Sequence, residues 1–224
     1  MDVSKYIIDS KEATLHRSGE PDSPLIVFNN FSGDGSDVAE ELGKLSSKPF
    51  NLLSISGLKW DDEMSPWFCP PVFKGDTPYA GEADKYLDIL TREILPKALG
   101  LIHGKPAHMG IAGYSLAGLF AIYALYRTGI FDRAASMSGS MWFPEFKDFA
   151  TSRPFAGKPE KIYLSLGDKE SRTKNPYLGT VQENTEALAD HYRSIGIDVT
   201  WELNPGNHFV DATRRCAKGI LSIL

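Results

Sequence analysis

The chain has 224 residues, of which 42% are hydrophobic and 24% are charged, and its formal net charge is -5. This length fits one domain spanning residues 1–224, and the composition is that of a folded globular protein. The acidic balance and the lack of a Lys/Arg run argue against a nucleic-acid partner, because nothing in the pattern would neutralise phosphates.

The cellular compartment is judged from the N-terminus and the cysteines. Residues 1–19 lack the basic region and apolar run of a secretory signal, and no apolar stretch approaches the roughly 18 residues of a membrane span. Two cysteines, Cys69 and Cys216, form neither a disulfide framework nor a zinc-binding spacing. We therefore expect a cytoplasmic protein without membrane contact, metal or cofactor.

Short apolar runs alternate with amphipathic segments along the chain. Strand patterns cover residues 24–30, 50–56, 108–115, 133–140, 161–168 and 198–206. Helix patterns cover residues 36–45, 82–95, 116–129, 180–196 and 210–224. The helix at 180–196 begins with Thr180 and Glu183 at the spacing of a capping box. Strands alternating with helices predict βαβ units, and so a mainly parallel sheet with helices on both faces.

Sites in such sheets lie at the carboxyl ends of the strands. Ser115, in the stretch GYSLAG, follows a predicted strand and precedes a predicted helix. A serine on such a turn projects its Oγ out of the sheet, and the N–H of Leu116 then faces a developing oxyanion. The alternative is that Ser115 only caps the helix, since serine is a favoured N-cap residue.

Three further strand ends carry polar residues. His208, in NPGNHFVD, is placed to accept a proton from the serine, and Asp168 or Glu170, in LSLGDKESR, to orient that histidine. The loop FNNFSGDG is placed to supply a second oxyanion donor, with the Phe31 N–H preferred and Asn30 as the alternative. The alternatives are a loop histidine, a solvated acidic turn and an Asn/Gly-rich turn. The order of donor loop, serine, acid and histidine favours catalysis, because it is the chain order of one particular architecture.

From LIVFNN to GNHF, the chain resembles the α/β-hydrolase superfamily. Within it, the motifs GYSLAG, GDKE and GNHF, together with the segment DDEMSPW, resemble small serine esterases of the esterase-D and siderophore-esterase-like branch. The resemblance implies an α/β-hydrolase fold without a large lid domain. Two positions depart from the pattern: Asn29-Asn30 replaces a common histidine–glycine pair, and Ala117 replaces the second glycine of the serine turn.

The resemblance also bears on the acid. In this branch the acid commonly falls three places after the glycine that ends its strand, which from Gly167 implies Glu170, with Asp168 as the alternative. The expected activity is hydrolysis of carboxylic esters of small molecules through a Ser115–His208–Glu170 triad and an acyl-enzyme. A thioesterase, peptidase or acyl transferase on the same fold, or a non-catalytic binding protein, are the alternatives. The protein is expected to be a monomer or a homodimer.

Residues 57–81 form a long stretch without a period that is rich in proline and aromatic residues. Loops of this length are usually functional or disordered, and the aromatic content argues against disorder. Trp67 and Phe68 from this stretch, with Trp142 and Phe143 from SGSMWFPEF, are expected to line the substrate pocket. The alternative is that they are ordinary core aromatics.

Overall fold

The central sheet has eight strands in the computed structural model, which describes residues 1–72 and 75–224. The strands are β1 Asp2–Ile8, β2 Lys11–Arg17, β3 Leu25–Asn29, β4 Asn51–Ser56, β5 Met109–Tyr114, β6 Arg133–Met137, β7 Lys161–Gly167 and β8 Asp198–Asn204. Their spatial order is β1-β2-β4-β3-β5-β6-β7-β8. Strands β3 to β8 pair in parallel, whereas β2 is antiparallel to both of its neighbours.

The hairpin formed by β1 and β2 is absent from the sequence prediction. Its turn is made by Asp9 and Ser10, whose φ angles are 46° and 64°. A two-residue hairpin turn of type I′ needs positive φ at both positions, and its sequence signal is strongest when glycine is present. An Asp-Ser turn lacks that signal, so the hairpin was not predicted.

The helices are α1 Ser36–Leu45, α2 Trp60–Glu63, α3 Ala83–Ile89, α4 Leu95–Leu99, α5 Leu116–Arg127, α6 Phe146–Ser152, α7 Val181–Ser194 and α8 Ala212–Ile223. A π-helical segment, Leu90–Ile94, joins α3 to α4, so the predicted helix at 82–95 continues through Pro96. The predicted capping box before α7 is wrong. Thr180 has helical backbone angles and donates its hydroxyl to the Tyr177 carbonyl, because the turn Leu178–Thr180 already leads into the helix.

Helices cover both faces of the sheet, as predicted. One core lies under α3, α5 and α7, and α5 is buried along its whole length except for Arg127. The other core lies between the sheet and the helices α1 and α8, with Leu42 and Ile220 completely buried. The chain therefore has the mainly parallel α/β-hydrolase architecture without a large lid, and the carboxyl ends of β3 and β5 to β8 meet at one edge.

Candidate active site

Ser115 occupies the sharp turn between β5 and α5. Its backbone angles are φ 59° and ψ -124°, which residues other than glycine rarely adopt. The surrounding backbone fixes this geometry, since the Ser115 N–H donates to the Met137 carbonyl at 3.0 Å and its carbonyl accepts from the Ser140 N–H at 3.1 Å. Its side chain makes no capping hydrogen bond to α5. Strained residues held by their surroundings cluster at active sites, so this geometry favours a nucleophile over a helix cap.

The alanine at position 117 fits because its neighbours across the turn are glycines. A Cβ on Gly113 would lie 2.6 Å from the Ala117 Cβ, and a Cβ on Gly118 would lie 2.7 Å from Ser136 Oγ. Positions 113 and 118 therefore allow β5 and α5 to approach closely. Ala117 is fully buried and fills the space that they leave.

His208 and Glu170 form a close pair at the same edge of the sheet. The His208 Nδ1 lies 2.7 Å from Glu170 Oε2, and the Glu170 side chain is only 6% exposed. Asp168, the alternative acid, instead accepts the Gly206 N–H through Oδ1 at 2.8 Å. Asp168 thus braces the loop that carries the histidine, whereas Glu170 is the carboxylate that contacts the ring.

The surroundings of Glu170 favour its ionised form. Burial by itself would raise the pKa of this carboxyl. The hydrogen bond with His208, the Gly167 N–H at 2.6 Å from Oε1 and the Ser138 hydroxyl at 2.7 Å from Oε1 outweigh that cost. The net result is a pKa below the usual range, so Glu170 is a carboxylate at neutral pH and can stabilise an imidazolium on His208.

Ser115 and His208 face the same cavities, but the hydrogen bonds among residues 1–72 and 75–224 do not include one between Ser115 Oγ and the His208 ring. Catalytic hydrogen bonds are often long without substrate and tighten when it binds. A missing contact between these two groups is therefore compatible with their expected roles as nucleophile and base.

The two predicted oxyanion donors are Leu116, which follows Ser115 directly in the chain, and Phe31, which lines a cavity with it. Leu116 is the first residue of α5, where backbone N–H groups have no acceptor within the helix. Phe31 lines a cavity with Ser115, and its ring meets the Trp60 ring edge-on at 5.1 Å. The Asn30 N–H donates to the Ile55 carbonyl at 2.8 Å, so it is already engaged. Asn30 is therefore the weaker of the two alternatives in this loop.

Two chambers flank the serine and share Trp60, Ser115, His208 and Phe209. The first, here called the polar chamber, has a volume of about 450 Å³. Its other lining residues are Asp61, Asp76, Thr77, Tyr79, Leu116, Ser138, Ser140, Trp142, Glu170, Leu178 and Val181. The second, the apolar chamber, has a volume of about 410 Å³ and lies between α1 and α8. Its other lining residues are mostly apolar but include one carboxylate: Phe28, Asn29, Asn30, Phe31, Asp37, Val38, Tyr114, Ala212, Thr213 and Cys216.

The polar chamber is negatively charged at its mouth. Asp61 and Asp76 both line it, and burial, followed by repulsion from Asp62 and Asp76, raises the pKa of Asp61. Each of these effects disfavours a further negative charge nearby. An anionic group is therefore a poor fit for this side of the site.

The predicted pocket aromatics are only partly where they were expected. Trp142 lines the polar chamber. Trp67 is instead a core aromatic, with its ring among Tyr123, Phe143, Phe146 and Phe149 and its Nε1–H donated to the Pro144 carbonyl. Phe143 is buried as well, and Phe68 is 64% exposed and lines neither chamber. The prediction that these three residues line the pocket is therefore corrected.

The cavity aromatics that the sequence analysis missed are Trp60, Tyr79 and Phe209. Trp60 and Tyr79 lie in the long stretch 57–81, where no period separates inward from outward residues. Residues 73–74 of that stretch are outside the described part of the chain. Phe209 follows His208 directly and is 86% exposed at the mouth of both chambers. Its place directly after a predicted site histidine was the available signal, because ligand pockets are lined mainly by apolar and aromatic side chains.

A larger groove of about 730 Å³ lies elsewhere, along the β1–β2 hairpin. Lys5 and Asp34 line it and form an ion pair with each other at 2.8 Å, and no predicted site residue reaches it. Within the described ranges, no helix is both long and apolar enough to cross a membrane.

The parallel sheet, the strained serine turn and the histidine–carboxylate pair together define an α/β-hydrolase. Residues 59–201, more than half of the chain, match the family described as "Putative esterase". The chain therefore belongs to this esterase family and is a carboxylic-ester hydrolase.

Solved structures of esterases share this fold. The siderophore hydrolase EstB from Aspergillus nidulans is 17% identical, with 97% of this chain and 93% of that chain covered and a TM-score of 0.74. An IroE-like serine hydrolase from Shewanella oneidensis is 15% identical, with 98% and 78% covered and a TM-score of 0.76. The enterobactin esterase FES from Shigella flexneri is 17% identical, with 100% and 59% covered and a TM-score of 0.75. No curated protein sequence matches the chain.

Proposed function

We propose that the protein is a serine esterase in which Ser115 is the nucleophile, His208 the general base and acid, and Glu170 the acid of the triad. The observation that supports this most directly is the 2.7 Å contact between His208 Nδ1 and the buried Glu170, beside cavities that also hold the strained Ser115. The protein is proposed to act on small-molecule esters in the cytoplasm, without a metal or cofactor, as a monomer or homodimer.

The reaction proceeds through two tetrahedral intermediates. Ser115 Oγ attacks the ester carbonyl carbon while its proton passes to His208 Nε2, and the N–H groups of Leu116 and Phe31 stabilise the oxyanion. The intermediate then collapses, the bond to the alcohol oxygen breaks, and His208 returns the proton to the leaving alcohol. Water then gives a proton to His208 and attacks the acyl carbon, which forms the second tetrahedral intermediate. This intermediate collapses, the bond to Ser115 Oγ breaks, His208 returns the proton to Oγ, and the carboxylic acid leaves.

Each of the two chambers is proposed to hold one part of the ester, either the acyl group or the alcohol portion. The apolar chamber, lined by Phe28, Val38 and Cys216, is proposed to take an apolar acyl group. The polar chamber is proposed to take the alcohol portion in uncharged or cationic form, because Asp61 and Asp76 lie at its mouth. The structural neighbours named as siderophore hydrolases make a siderophore ester one substrate to test.

Filling the apolar chamber should shift the preference of the enzyme towards esters with shorter acyl chains. Ala212, the half-buried first residue of α8, lines this chamber, so Ala212→Phe should lower kcat/KM for p-nitrophenyl octanoate by about tenfold or more. The acetyl ester should be affected much less, because it does not reach that depth. The control is Ser222→Phe, which adds the same ring near the other end of α8. An equal loss on all esters would contradict the assignment of this chamber.

A matched substrate panel tests the reaction class. The butyryl group is offered as a p-nitrophenyl ester, an alkyl ester, a thioester and an anilide, and product release is followed for the wild-type enzyme and for His208→Ala. We expect the oxygen esters to be turned over fastest and the variant to lose this activity. Preference for the thioester or the anilide would replace the proposed function with that of a thioesterase or a peptidase.

A further inference from the structure

Arg215 is a buried cation that the proposed mechanism leaves unexplained. It lies on α8, and only 2% of its surface is exposed. Burying a guanidinium is unfavourable unless it is paired and hydrogen-bonded. The groups that it contacts therefore show what holds a charge at this position.

One guanidinium joins the ends of four neighbouring strands. Arg215 Nη1 lies 3.2 Å from Ser138 Oγ, 3.3 Å from the Tyr114 hydroxyl and 3.4 Å from Glu170 Oε1. Its Nη2 donates to the Pro205 carbonyl at 2.9 Å. Tyr114 ends β5, Ser138 follows β6, and Glu170 and Pro205 follow β7 and β8. Arg215 therefore contacts each loop that carries a member of the proposed triad.

Two hydroxyl groups extend these contacts to both members of the histidine–carboxylate pair. The Ser138 hydroxyl accepts from Arg215 and donates to Glu170 Oε1 at 2.7 Å. The Tyr114 hydroxyl accepts from Arg215 and donates to the His208 carbonyl at 2.7 Å. Since Arg215 and Ser138 use only Oε1, the other oxygen of Glu170 remains free to bind His208 Nδ1.

The loops approach so closely that position 167 must be glycine. A Cβ on Gly167 would collide with the Gly206 carbonyl and would lie 3.0 Å from Glu170 Oε1 and 3.1 Å from Arg215 Nη1. The Glu170 carboxylate and the Arg215 guanidinium are thus closely packed against the backbone at position 167, which restricts their relative position.

Arg215 is the permanent positive charge in contact with Glu170 among the described residues. His208, the other side chain paired with Glu170, is charged only when protonated.

The other titratable groups nearby in the described part of the chain add no free positive charge. The Tyr114 phenol is neutral, since burial raises its pKa. The remaining charged groups nearby are engaged elsewhere: Asp168 binds the Gly206 N–H, and Lys218 on α8 pairs with Glu202 of β8. With a neutral imidazole, Arg215 is the formal positive charge beside the buried carboxylate, and it acts together with the hydrogen bonds from the Gly167 N–H and the Ser138 hydroxyl.

We propose that Arg215 is a positioning residue that keeps Glu170 ionised, aligns it on His208, and ties the histidine loop to the strand that carries the nucleophile. This inference rests on the proposed roles of Ser115, His208 and Glu170. It assigns to a buried cation on α8 the role of keeping Glu170 ionised and in contact with His208.

The test is the pH profile of kcat/KM on a p-nitrophenyl ester for the wild type, Arg215→Met and Arg215→Lys. In Arg215→Met, loss of the positive charge favours protonation of the Glu170–His208 pair. The acid limb should therefore move to higher pH by about one unit, and kcat should fall by about tenfold or more. Arg215→Lys keeps the positive charge but loses the planar set of guanidinium N–H donors. The acid limb of its pH profile should therefore stay near that of the wild type while kcat falls.

The neighbouring exposed arginine provides the matched control. Arg214→Met removes one positive charge from the same helix, but Arg214 contacts neither Glu170 nor Ser138, so its profile should equal that of the wild type. A folded Arg215→Met protein with an unmoved acid limb overturns the proposal even if kcat falls, because a purely structural role changes the rate without shifting the limb.

If Arg215→Met fails to fold, the pH profile of Ser138→Ala tests the proposal instead. It removes the hydroxyl that links Arg215 to Glu170, and the acid limb should move in the same direction by a smaller amount; an unmoved limb overturns the proposal. The wild-type activity must first be shown to depend on Ser115. Turnover that survives Ser115→Ala overturns the proposed function together with this inference, whereas Ser115-dependent turnover with an unmoved limb overturns this inference alone.

Discussion

Ser115→Ala is expected to lower kcat for p-nitrophenyl butyrate by a factor on the order of 10⁴ to 10⁶. The reason is that Ser115 lies on a strained turn, lines the same chambers as His208, and in the proposed mechanism supplies the oxygen that carries the acyl group. The residual rate over water would come from the oxyanion donors and substrate binding, which the substitution leaves in place. Product release followed by absorbance measures the effect directly.

The control for this substitution is Ser152→Ala, which removes a hydroxyl from the exposed end of α6. It should retain full activity. Circular dichroism and thermal unfolding of Ser115→Ala should match those of the wild type, because the alanine keeps the backbone bonds to Met137 and Ser140. Retained turnover in a folded Ser115→Ala protein would remove the serine from the mechanism.

Glu170→Gln should be the second most damaging single change, with kcat reduced by a factor on the order of 10³ to 10⁴. The amide is nearly isosteric but carries no charge to stabilise the imidazolium, and it can hold the ring in the wrong tautomer. Asp168→Asn is the matched comparison, since this carboxylate only accepts the Gly206 N–H and does not contact the ring. We expect it to cost less than about tenfold, through slight loosening of the loop.

The two substitutions are measured side by side on one ester, with protein folding checked for both. If Asp168→Asn proved the more damaging, the acid of the triad would be Asp168, and the contact between Glu170 and His208 would not be the productive one. Equal and small losses would indicate that His208 works without an acid.

The parallel part of the fold follows from the sequence because buried strands and amphipathic helices have distinct periods. The helix at 36–45 was predicted with its observed bounds, and β5 differs from the prediction by one residue at each end. The grouping of Ser115, Glu170 and His208 was predictable for the same reason, because the carboxyl ends of parallel strands meet at one edge.

The rest of the site depends on contacts between distant segments that carry no local pattern. Trp60 and Phe209 line both chambers, yet one lies in a stretch without a period and the other in a loop. Arg215 reads as a polar residue of an ordinary terminal helix, and only the fold shows that it is buried against Glu170. Trp67 was misassigned because an aromatic residue has the same sequence signature in a core as in a pocket.

Labelling with a fluorophosphonate tests the central claim most directly, because the reagent reacts preferentially with an activated serine. The protein is treated with the probe, digested, and the position of the adduct is read by tandem mass spectrometry. We predict one adduct, on Ser115, that blocks ester hydrolysis and is lost in Ser115→Ala and His208→Ala. An adduct on another residue, or full ester hydrolysis by a protein that the probe leaves unlabelled, would contradict the assignment of Ser115 as the nucleophile.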